Sequence, residues 1–395
     1  MNLARAVTIE DLRRIARRRL PAFVFHPMET GTGNGGGPID NVSSFREFRF
    51  LGKTLTGLRP VTSGATLFGR ESGSAFGVAP MGYAEYFRLK ADSHMAQAAA
   101  EANVPFVLSG GSNAAIERIA AIGPQTFWCQ LYGTRDAAVM DDFIARAREV
   151  GVATLVYTVD FQSMPQNAWL ARTGLALYGR PRLGSLPYLL TQLLTHPAWS
   201  LEILRRPGLP KLEGWRRYAP RGSTGAEIHR YYRAQVPAPQ NWFDLERVRR
   251  QWPGKLVIKG LMSVDEARRA IAAGVDGIMV SNHGGNRLDS LLPPLWVIAE
   301  LRQMLGPQFP LFLDGGIRRG SDILVAYCLG ASFCFAGRAI LYGVSAAGLA
   351  GARRAIHILR TELEQTMAML GISSIAECDA NMIRRRLPLS GTLTT

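Results

Sequence analysis

The sequence predicts an α/β protein built as a (β/α)8 TIM barrel, and two observations lead to this fold class. Eight short apolar runs alternate with segments of helical periodicity from about residue 74 onward. Most of these runs are hydrophobic along their whole length, as parallel strands covered on both faces should be. Eight strand-then-helix units predict a closed barrel, and a doubly wound open sheet is the less favoured alternative. The predicted strands are residues 75–79, 105–108, 126–129, 154–157, 256–258, 277–280, 311–313 and 333–336.

The helical patterns between these runs fit one domain over residues 1–395, which ends with helices over residues 339–370. Residues 161–254, after the fourth strand, are too many for an ordinary connection and are predicted to be an insertion. The insertion is rich in aromatic residues and Arg, and on the catalytic face of a barrel it would act as a lid or substrate wall. A subunit contact and a peripheral membrane contact through residues 183–217 are the alternatives. The predicted inter-strand helices are 92–102, 113–121, 136–149, 263–273, 294–305 and 319–329.

A helical segment is expected in front of the barrel. Residues 8–20 predict a basic helix with Thr8 as its N-cap, and Pro21 stops it. Residues 29–38 are so rich in glycine that we expect a mobile loop or a lid there and no regular structure. The C-terminal helices are expected to pack against neighbouring subunits in a homo-oligomer, most simply a tetramer.

The composition favours an enzyme with an anionic ligand. The chain has 46 Lys and Arg against 31 Asp and Glu, a net charge of +15, which suggests a phosphate-bearing cofactor, an anionic substrate or a membrane surface. Nucleic acid is not expected, because the Arg residues are scattered and no recognition motif is present. The four cysteines show no metal-binding spacing, so no metal is expected. With no secretory signal and no apolar run of about 18 residues, a cytoplasmic protein is predicted.

Polar residues follow each apolar run. In a (β/α)8 barrel the carboxyl ends of all strands meet at one face, where the active site lies. A lone histidine in a glycine-rich turn is more often structural, but eight converging strand ends make one polar pocket. In strand order these ends are Pro80-Met81-Gly82-Tyr83, Ser109-Gly110-Gly111, Gln130-Leu131-Tyr132, Thr158-Val159-Asp160, Lys259-Gly260, Ser281-Asn282-His283, Asp314-Gly315-Gly316-Ile317-Arg318 and Gly337-Arg338.

The last two strand ends predict a phosphate site. Both loops combine glycines with an arginine, Arg318 after the seventh strand and Arg338 after the eighth. Exposed backbone N–H groups after strands seven and eight form the usual phosphate site of this barrel, and Arg binds phosphate bidentately. A phosphate-bearing cofactor is therefore expected.

These motifs, in this order, resemble the FMN-dependent α-hydroxy acid oxidase/dehydrogenase family, which includes glycolate oxidase, lactate oxidase and mandelate dehydrogenase. The matching segments run from about Leu20 to Glu364. The resemblance implies FMN, with His283 as the base, Asp160 orienting it and Tyr132 donating to a substrate oxygen. It also implies a flavin site whose members are Pro80, Met81, Gly82, Ser109, Gln130, Thr158, Lys259, Ser281, Asp314, Gly315, Gly316, Arg318, Gly337 and Arg338. A cation such as Lys259 beside flavin N1 would stabilise the reduced, anionic flavin.

Three positions depart from the family pattern, and all three would contact the substrate carboxylate. The family arginine of the histidine loop is replaced by Asn286, with Arg287 displaced by one residue. Asn167 stands where a second arginine is expected, and Pro27 stands where a tyrosine is expected. Asn cannot supply the charged fork of Arg. Asn286, Arg287 and Asn167 are therefore the substrate-contact candidates.

These departures lead to the hypothesis of a non-standard substrate. The Asn286 form of the motif resembles the branch that contains the mycofactocin-maturation flavoprotein. We expect oxidation of an alcohol or amine carbon in a larger, natural-product or peptide-derived molecule, by His-assisted hydride transfer to flavin N5. One alternative is an ordinary 2-hydroxy acid enzyme in which Arg287 or Arg172 substitutes for the missing anchors. Another is a flavin-binding partner protein without catalysis.

Overall fold

A computed structural model describes residues 2–57, 59–164, 167–173, 182–205 and 210–386. Eight parallel strands close into a barrel in chain order, with the eighth paired to the first. The (β/α)8 barrel that the sequence predicts is therefore confirmed. The barrel strands are β1 (Phe76–Val78), β2 (Phe106–Leu108), β3 (Phe127–Tyr132), β4 (Thr154–Thr158), β5 (Lys255–Lys259), β6 (Gly277–Val280), β7 (Leu311–Asp314) and β8 (Phe333–Ala336).

The described helices surround the barrel and extend it at both ends of the chain. They are α1 (Ile9–Arg19), α2 (Ala22–Thr30), α3 (Gly36–Ser44), α4 (Ala91–Glu101), α5 (Ile116–Ile122), α6 (Ala137–Glu149), α7 (Ala168–Thr173), α8 (Leu186–Thr195), α9 (Pro197–Leu204), α10 (Gly225–Gln235), α11 (Trp242–Gln251), α12 (Val264–Ala272), α13 (Pro294–Leu305), α14 (Gly320–Cys328) and α15 (Arg338–Met369). Thr8 caps α1 in a capping box, as its sequence predicts. Among the described residues no helix is long and apolar enough to cross a membrane.

The prediction that residues 29–38 lack regular structure is wrong in part. Residues 31–35 connect two helices, but the end of α2 and the start of α3 also fall within the run. The glycines serve a close approach instead: a Cβ on Gly37 would lie only 3.0 Å from the Cα of Gly285. Small residues at the start of α3 therefore let it pack directly against the histidine loop, and composition alone could not reveal that neighbour.

The interior of the barrel is filled from the bottom by aromatic side chains. Phe68, from a short hairpin formed by Ala65–Leu67 and Arg70–Ser72, packs 5.8 Å from Trp128 and 5.7 Å from Phe312 between ring centroids. A second antiparallel pair lies outside the barrel and joins Phe48–Phe50 to Ile383–Arg385. The filled base leaves the carboxyl ends of the strands as the open end.

Strand alternation decides which side chains point into the barrel. In β5, Val257 lies in the interior cluster, whereas Leu256 and Ile258 pack against the surrounding helices. Successive side chains on a strand face opposite sides, so Lys259 continues the inward face of Val257. The same alternation makes Tyr132 in β3 continue from Trp128 and Asp314 in β7 continue from Phe312. The barrel thus places polar side chains directly above its apolar interior.

The insertion after β4 is largely helical in its described parts and is attached to the barrel by specific bonds. Trp199 of α9 donates through Nε1 to the backbone oxygen of Tyr86 at 2.8 Å. Further along, Trp215 donates through Nε1 to Gly110 O at 2.7 Å, beside the end of β2. The insertion therefore runs over the face where the strands end.

Candidate active site

The loop after β6 holds its histidine in a fixed position. His283 has a backbone φ of 57°, a left-handed conformation that non-glycine residues seldom adopt, and its N–H donates to Ser281 Oγ at 3.0 Å. Asn282 is buried and exchanges two side-chain hydrogen bonds of 2.8 Å with Asn41 of α3. A sparsely populated backbone conformation held by buried partners is typical of functional sites.

The imidazole of His283 is engaged at both ring nitrogens. Nδ1 lies 2.9 and 3.0 Å from the two carboxylate oxygens of Asp160. Nε2 lies 3.3 Å from Tyr132 Oη and 2.8 Å from Arg287 Nη2. Because an ionised carboxylate can only accept, Nδ1 carries the proton and Nε2 carries the lone pair. The imidazole is therefore oriented as a base, with its lone pair directed away from Asp160.

The surrounding charges keep this base neutral. Burial and the nearby Arg287 and Lys259 lower the pKa of His283 to about 3, although Asp160 acts in the opposite direction. Burial alone would raise the pKa of Asp160, but His283 and Lys259 hold it well below its usual range. An ionised carboxylate behind a neutral imidazole stabilises the imidazolium that forms when a proton is taken.

Lys259 brings a buried cation to the same site. Its Nζ donates to Ser281 Oγ at 2.8 Å and lies 3.3 Å from a carboxylate oxygen of Asp314. Burial opposes the charge, yet Asp314 and Asp160 raise the pKa of Lys259 above its ordinary value. The ammonium group therefore stays charged with almost no contact with solvent.

Arg287 also reaches this site, although the sequence places it one residue later than the family arginine. Its guanidinium carbon lies 3.3 Å from the centroid of the Phe161 ring, and its Nη2 lies beside His283 Nε2. Its Nε is buried and has no hydrogen-bond partner among the described residues. A guanidinium with an unused donor next to the base is an arrangement that a carboxylate can complete.

The other two departures from the family pattern bind the protein itself. Asn286 Nδ2 donates to His283 O at 3.0 Å, and its Oδ1 accepts from Arg338 Nη2 at 3.3 Å. Asn167 Nδ2 donates to Gly31 O at 2.6 Å. Asn286 borders the cavity described below, whereas Asn167 is not among the residues that line it. Both amides therefore hold backbone near the site.

Two further positions bear on the carboxylate anchors. Pro27 lines the cavity, in the place where a tyrosine hydroxyl was expected. Arg172, the second candidate for a substitute anchor, is exposed on α7 and does not line the cavity. Of the two substitute arginines considered from the sequence, the fold brings only Arg287 to the base.

The opposite end of the site is built for an anion. Arg318 and Arg338 both line it, and partial burial together with the charge of Arg318 lowers the pKa of Arg338 to about 10. Arg338 donates through Nε to Met28 O and through Nη1 to Gly284 O, both at 2.7 Å. Gly337, at the N-terminus of α15, provides no side-chain cap. Two adjacent cations at a helix N-terminus favour a phosphate.

A cavity of about 340 Å³ joins these two ends. One of its polar atoms, Asp314 Oδ1, is buried without a hydrogen-bond partner among the described residues. A buried acceptor without a donor fits a ligand hydroxyl, and FMN carries ribityl hydroxyls next to its phosphate. The residues present therefore fit the expected cofactor. The predicted flavin residues that line the cavity are Pro80, Met81, Gly82, Ser109, Lys259, Asp314, Gly315, Gly316, Arg318, Gly337 and Arg338.

Three predicted flavin residues lie behind the cavity lining. Gln130 donates through Nε2 to Thr158 Oγ1 at 2.7 Å and accepts from Gly110 N at 3.2 Å. Ser281 accepts from Lys259 and from the His283 backbone. In this structure these side chains hold the lining residues in place, and a direct contact with the cofactor stays a prediction.

Several lining residues were missed from the sequence. Phe161 and Met164 follow β4, while Tyr232 and Arg233 come from α10 inside the insertion. The sequence does not indicate which helix residues of the insertion line the cavity, because the strand-end pattern that identified the other lining residues does not extend to it. The aromatic content of the insertion was the one available indication.

The chain matches the family model described as FMN-dependent dehydrogenase over residues 16–385. It is 34% identical over 378 residues to a putative L-lactate dehydrogenase of Mycobacterium tuberculosis, covering 95% of this chain and 88% of that protein. It is 32% identical to (S)-mandelate dehydrogenase of Pseudomonas putida over 95% of this chain and 93% of that protein. With 4-hydroxymandelate oxidase of Amycolatopsis orientalis the identity is 31%, over 93% of this chain and 96% of that protein.

The fold comparison agrees with the sequence comparison. The crystal structure of the monotopic membrane protein (S)-mandelate dehydrogenase superimposes with a TM-score of 0.91 at 30% identity, covering 96% of this chain and all of that one. With the histidine–carboxylate pair, the buried lysine and the anion site in place, the family assignment has a structural basis. This chain belongs to the FMN-dependent dehydrogenase family and is an FMN-dependent oxidoreductase.

Proposed function

We propose that this enzyme oxidises a 2-hydroxy acid to the 2-oxo acid, with the substrate carboxylate bound by Arg287. The observation that carries the proposal is the 2.8 Å contact between Arg287 Nη2 and His283 Nε2. It supplies a guanidinium at the base, which the sequence pattern had suggested was missing. The relatives named lactate dehydrogenase, mandelate dehydrogenase and hydroxymandelate oxidase support the same substrate class. The argument for a non-standard substrate loses its main premise.

In this proposal, His283 takes the proton from the substrate hydroxyl at Nε2. Asp160, bound to Nδ1, stabilises the imidazolium that results. Tyr132, whose hydroxyl lies 3.3 Å from the same Nε2, donates to a substrate oxygen. Bound FMN supplies the two-electron acceptor for the hydrogen leaving the substrate carbon. Lys259 would hold a cation beside the flavin ring, while Arg318 and Arg338 would hold its phosphate.

Arg287 can couple carboxylate binding to activation of the base. In this structure its Nη2 donates to the lone pair that the base needs. A carboxylate is a stronger acceptor for guanidinium than a neutral imidazole is. Substrate binding would therefore draw Arg287 onto the carboxylate and free Nε2 for the proton. Binding of the acid group and activation of the base are coupled through one side chain.

The test is anaerobic reduction of the purified holoenzyme by candidate substrates. The loss of flavin absorbance measures the rate of reduction. The panel contains 2-hydroxy acids with small, branched and aryl side chains, each paired with its 2-hydroxy amide. We expect saturable bleaching by at least one acid and slow or absent bleaching by its amide. Equal rates for an acid and its amide would contradict a role for the carboxylate.

A larger substrate without a carboxylate is the second candidate, because two anchors remain replaced. Pro27 has no hydroxyl, and the Asn167 amide donates to Gly31. Alcohol and amine substrates without an acid group belong in the same panel. Faster bleaching by one of them than by every acid would favour this second candidate.

We further propose that α8 and α9 contact a membrane surface. Their leucines are solvent-exposed, with Leu190 59%, Leu194 80% and Leu204 77% exposed. Trp199 ties α9 to the barrel, so the leucines face away from it on an anchored support. A Leu190→Ser, Leu194→Ser variant should lose co-sedimentation with anionic vesicles and keep its turnover in solution. Retained co-sedimentation would contradict the proposal.

The homotetramer expected from the sequence stays a prediction, which light scattering can test.

A further inference from the structure

Helix α10 contributes to the cavity a polar pair that the proposed reaction does not use. Tyr232 and Arg233, neighbours on α10, both line the cavity together with His283 and Arg287. We infer that these two side chains recognise an anionic group at the far end of the substrate side chain. The substrate would then be a 2-hydroxy acid with a second, distal carboxylate. This inference rests on the proposed function and specifies its substrate.

Tyr232 is a buried residue that lines the cavity. It is 3% exposed, and its hydroxyl lies close to the backbone of Gly111, where an added Cβ would come within 3.0 Å of it. Its ring is fixed by edge-on contacts with Trp215 at 4.8 Å and with Tyr83 at 6.1 Å between centroids. Burial raises the pKa of Tyr232 far above its ordinary value, so the hydroxyl keeps its proton. A protonated hydroxyl on a fixed ring in the cavity wall can donate to an acceptor of a ligand.

Arg233 supplies positive charge at the mouth of the same cavity. Its side chain is exposed, and no carboxylate of another described residue lies within salt-bridge distance. Its charge reaches inward: burial and Arg233 together lower the pKa of His229, one turn earlier on α10, to about 4. His229 is therefore neutral at pH 7, which leaves Arg233 as the cation of this wall.

The residues that share the cavity define the substrate. Arg287, Tyr232 and Arg233 all line it, and the charges of both arginines act on the Tyr232 hydroxyl. An acid bound by Arg287, with its reacting carbon at His283, would extend its side chain towards α10. A carboxylate on that side chain would accept from Tyr232 and pair with Arg233. An apolar side chain would offer this hydroxyl no acceptor.

The experiment compares matched substrates in the holoenzyme. One pair is 2-hydroxyglutarate and its 5-amide, and the other is 4-carboxymandelate and 4-carbamoylmandelate. We expect the wild type to favour the dicarboxylate of at least one pair about three- to fivefold in kcat/KM, and Arg233→Gln to remove most of that preference. Tyr232→Phe should lower kcat/KM for both members of the pair. Arg230→Gln, an exposed arginine on the same helix, is the control and should leave the ratio unchanged.

The outcomes separate the two proposals. If no 2-hydroxy acid reduces the flavin, the proposed function fails. If monocarboxylic acids reduce it and no dicarboxylate is preferred, only the inference about Tyr232 and Arg233 is overturned. The same holds if Arg233→Gln slows both members of a pair equally. Calorimetric binding of 2-oxoglutarate to the holoenzyme is a measurement independent of turnover, and the affinity should fall about three- to fivefold in Arg233→Gln and not in Arg230→Gln.

Discussion

The strand ends and helix α10 contribute to the same cavity in different ways. Lys259 and Asp314 are buried, and strand alternation and ion pairing fix their positions. Tyr232 and Arg233 come from an insertion and meet the cavity because α10 docks on its edge. The first group carries charges suited to proton and electron transfer, and we propose that the second contacts the substrate side chain. In this proposal the barrel fixes the chemistry and the insertion sets the specificity.

Arg287 shares properties with both the strand-end residues and the residues of α10. It lies on a strand-end loop, like His283, and its side chain is partly buried. Its position over the Phe161 ring brings it to the base. Variants of His283, Arg287 and Asn286 therefore test how far the strand-end set is fixed and how far its surroundings adjust it.

The largest effect is expected for the base. His283→Ala removes the group that accepts the proton, which should slow flavin reduction about 10²- to 10⁴-fold. Stopped-flow absorbance measures this rate, and an unchanged spectrum of the bound flavin shows that the cofactor site is intact. A loss smaller than tenfold would mean that another group takes the proton.

The next effect is expected for the carboxylate anchor. Arg287→Met should lower kcat/KM for a 2-hydroxy acid about 10- to 150-fold, since charged hydrogen bonds contribute roughly 1.5–3 kcal/mol. Arg287→Lys should recover part of the loss, because Lys keeps the charge without the fork. Arg172→Gln removes an exposed arginine of α7 and should change kcat/KM little. A large loss in Arg172→Gln would identify that arginine as the anchor.

The Arg287→Met variant should also change the pH dependence of kcat/KM. Burial and the charge of Arg287 lower the pKa of His283 to about 3, so the base is deprotonated across the neutral range. Removing Arg287 removes one cause of that depression, and the pKa of His283 should rise. The acid limb of the kcat/KM profile for Arg287→Met should therefore move to higher pH. An unmoved limb would show that Arg287 does not contribute to the low pKa of His283.

The folding stability should also depend on pH, because the pKa of His283 is lower in the folded chain than in the unfolded chain. Between about pH 6.5 and pH 3 the unfolded chain protonates His283 and the folded chain does not. Folding stability from this group is therefore present above pH 6.5 and is lost as the pH falls towards 3. The melting temperature of the wild type should fall more steeply over this range than that of His283→Gln. Parallel curves would contradict the low pKa of the folded state.

The smallest effect is expected for the amide that joins the histidine loop to the anion site. Asn286 bonds both His283 O and Arg338, so Asn286→Ala should weaken FMN binding about fivefold, the loss of roughly 1 kcal/mol. Quenching of flavin fluorescence on titration of the apoprotein measures this affinity. A loss of kcat/KM as large as that of Arg287→Met would instead make Asn286 a direct substrate contact.

Much of the fold and of the strand-end set could be predicted. All eight barrel strands were placed within a few residues, because continuous apolar runs and their spacing are direct consequences of burial on both faces. Residues 29–38 were misread, because glycine frequency alone does not distinguish a mobile loop from a helix start packed against Gly285. The family resemblance supplied the cofactor, which the structure accommodates at Asp314 and the two arginines.

The substrate end could not be predicted in the same way. An arginine displaced by one residue was taken as an absent anchor, whereas the left-handed turn at His283 and the Phe161 ring bring Arg287 back to the base. Tyr232 and Arg233 were missed because the rotation of a helix about its axis depends on what it packs against. That packing cannot be predicted from the local sequence of α10.

The sequence by itself determined the barrel, the order of its strands and the polar residue at each strand end. The physical reason is local: period-two alternation and apolar run length fix which side chain points inward and where each strand stops. The tertiary structure alone decided which arginine meets the base and which face of α10 lines the cavity. Those two outcomes depend on contacts between segments far apart in the chain, such as α3 with the histidine loop and α10 with the edge of the barrel.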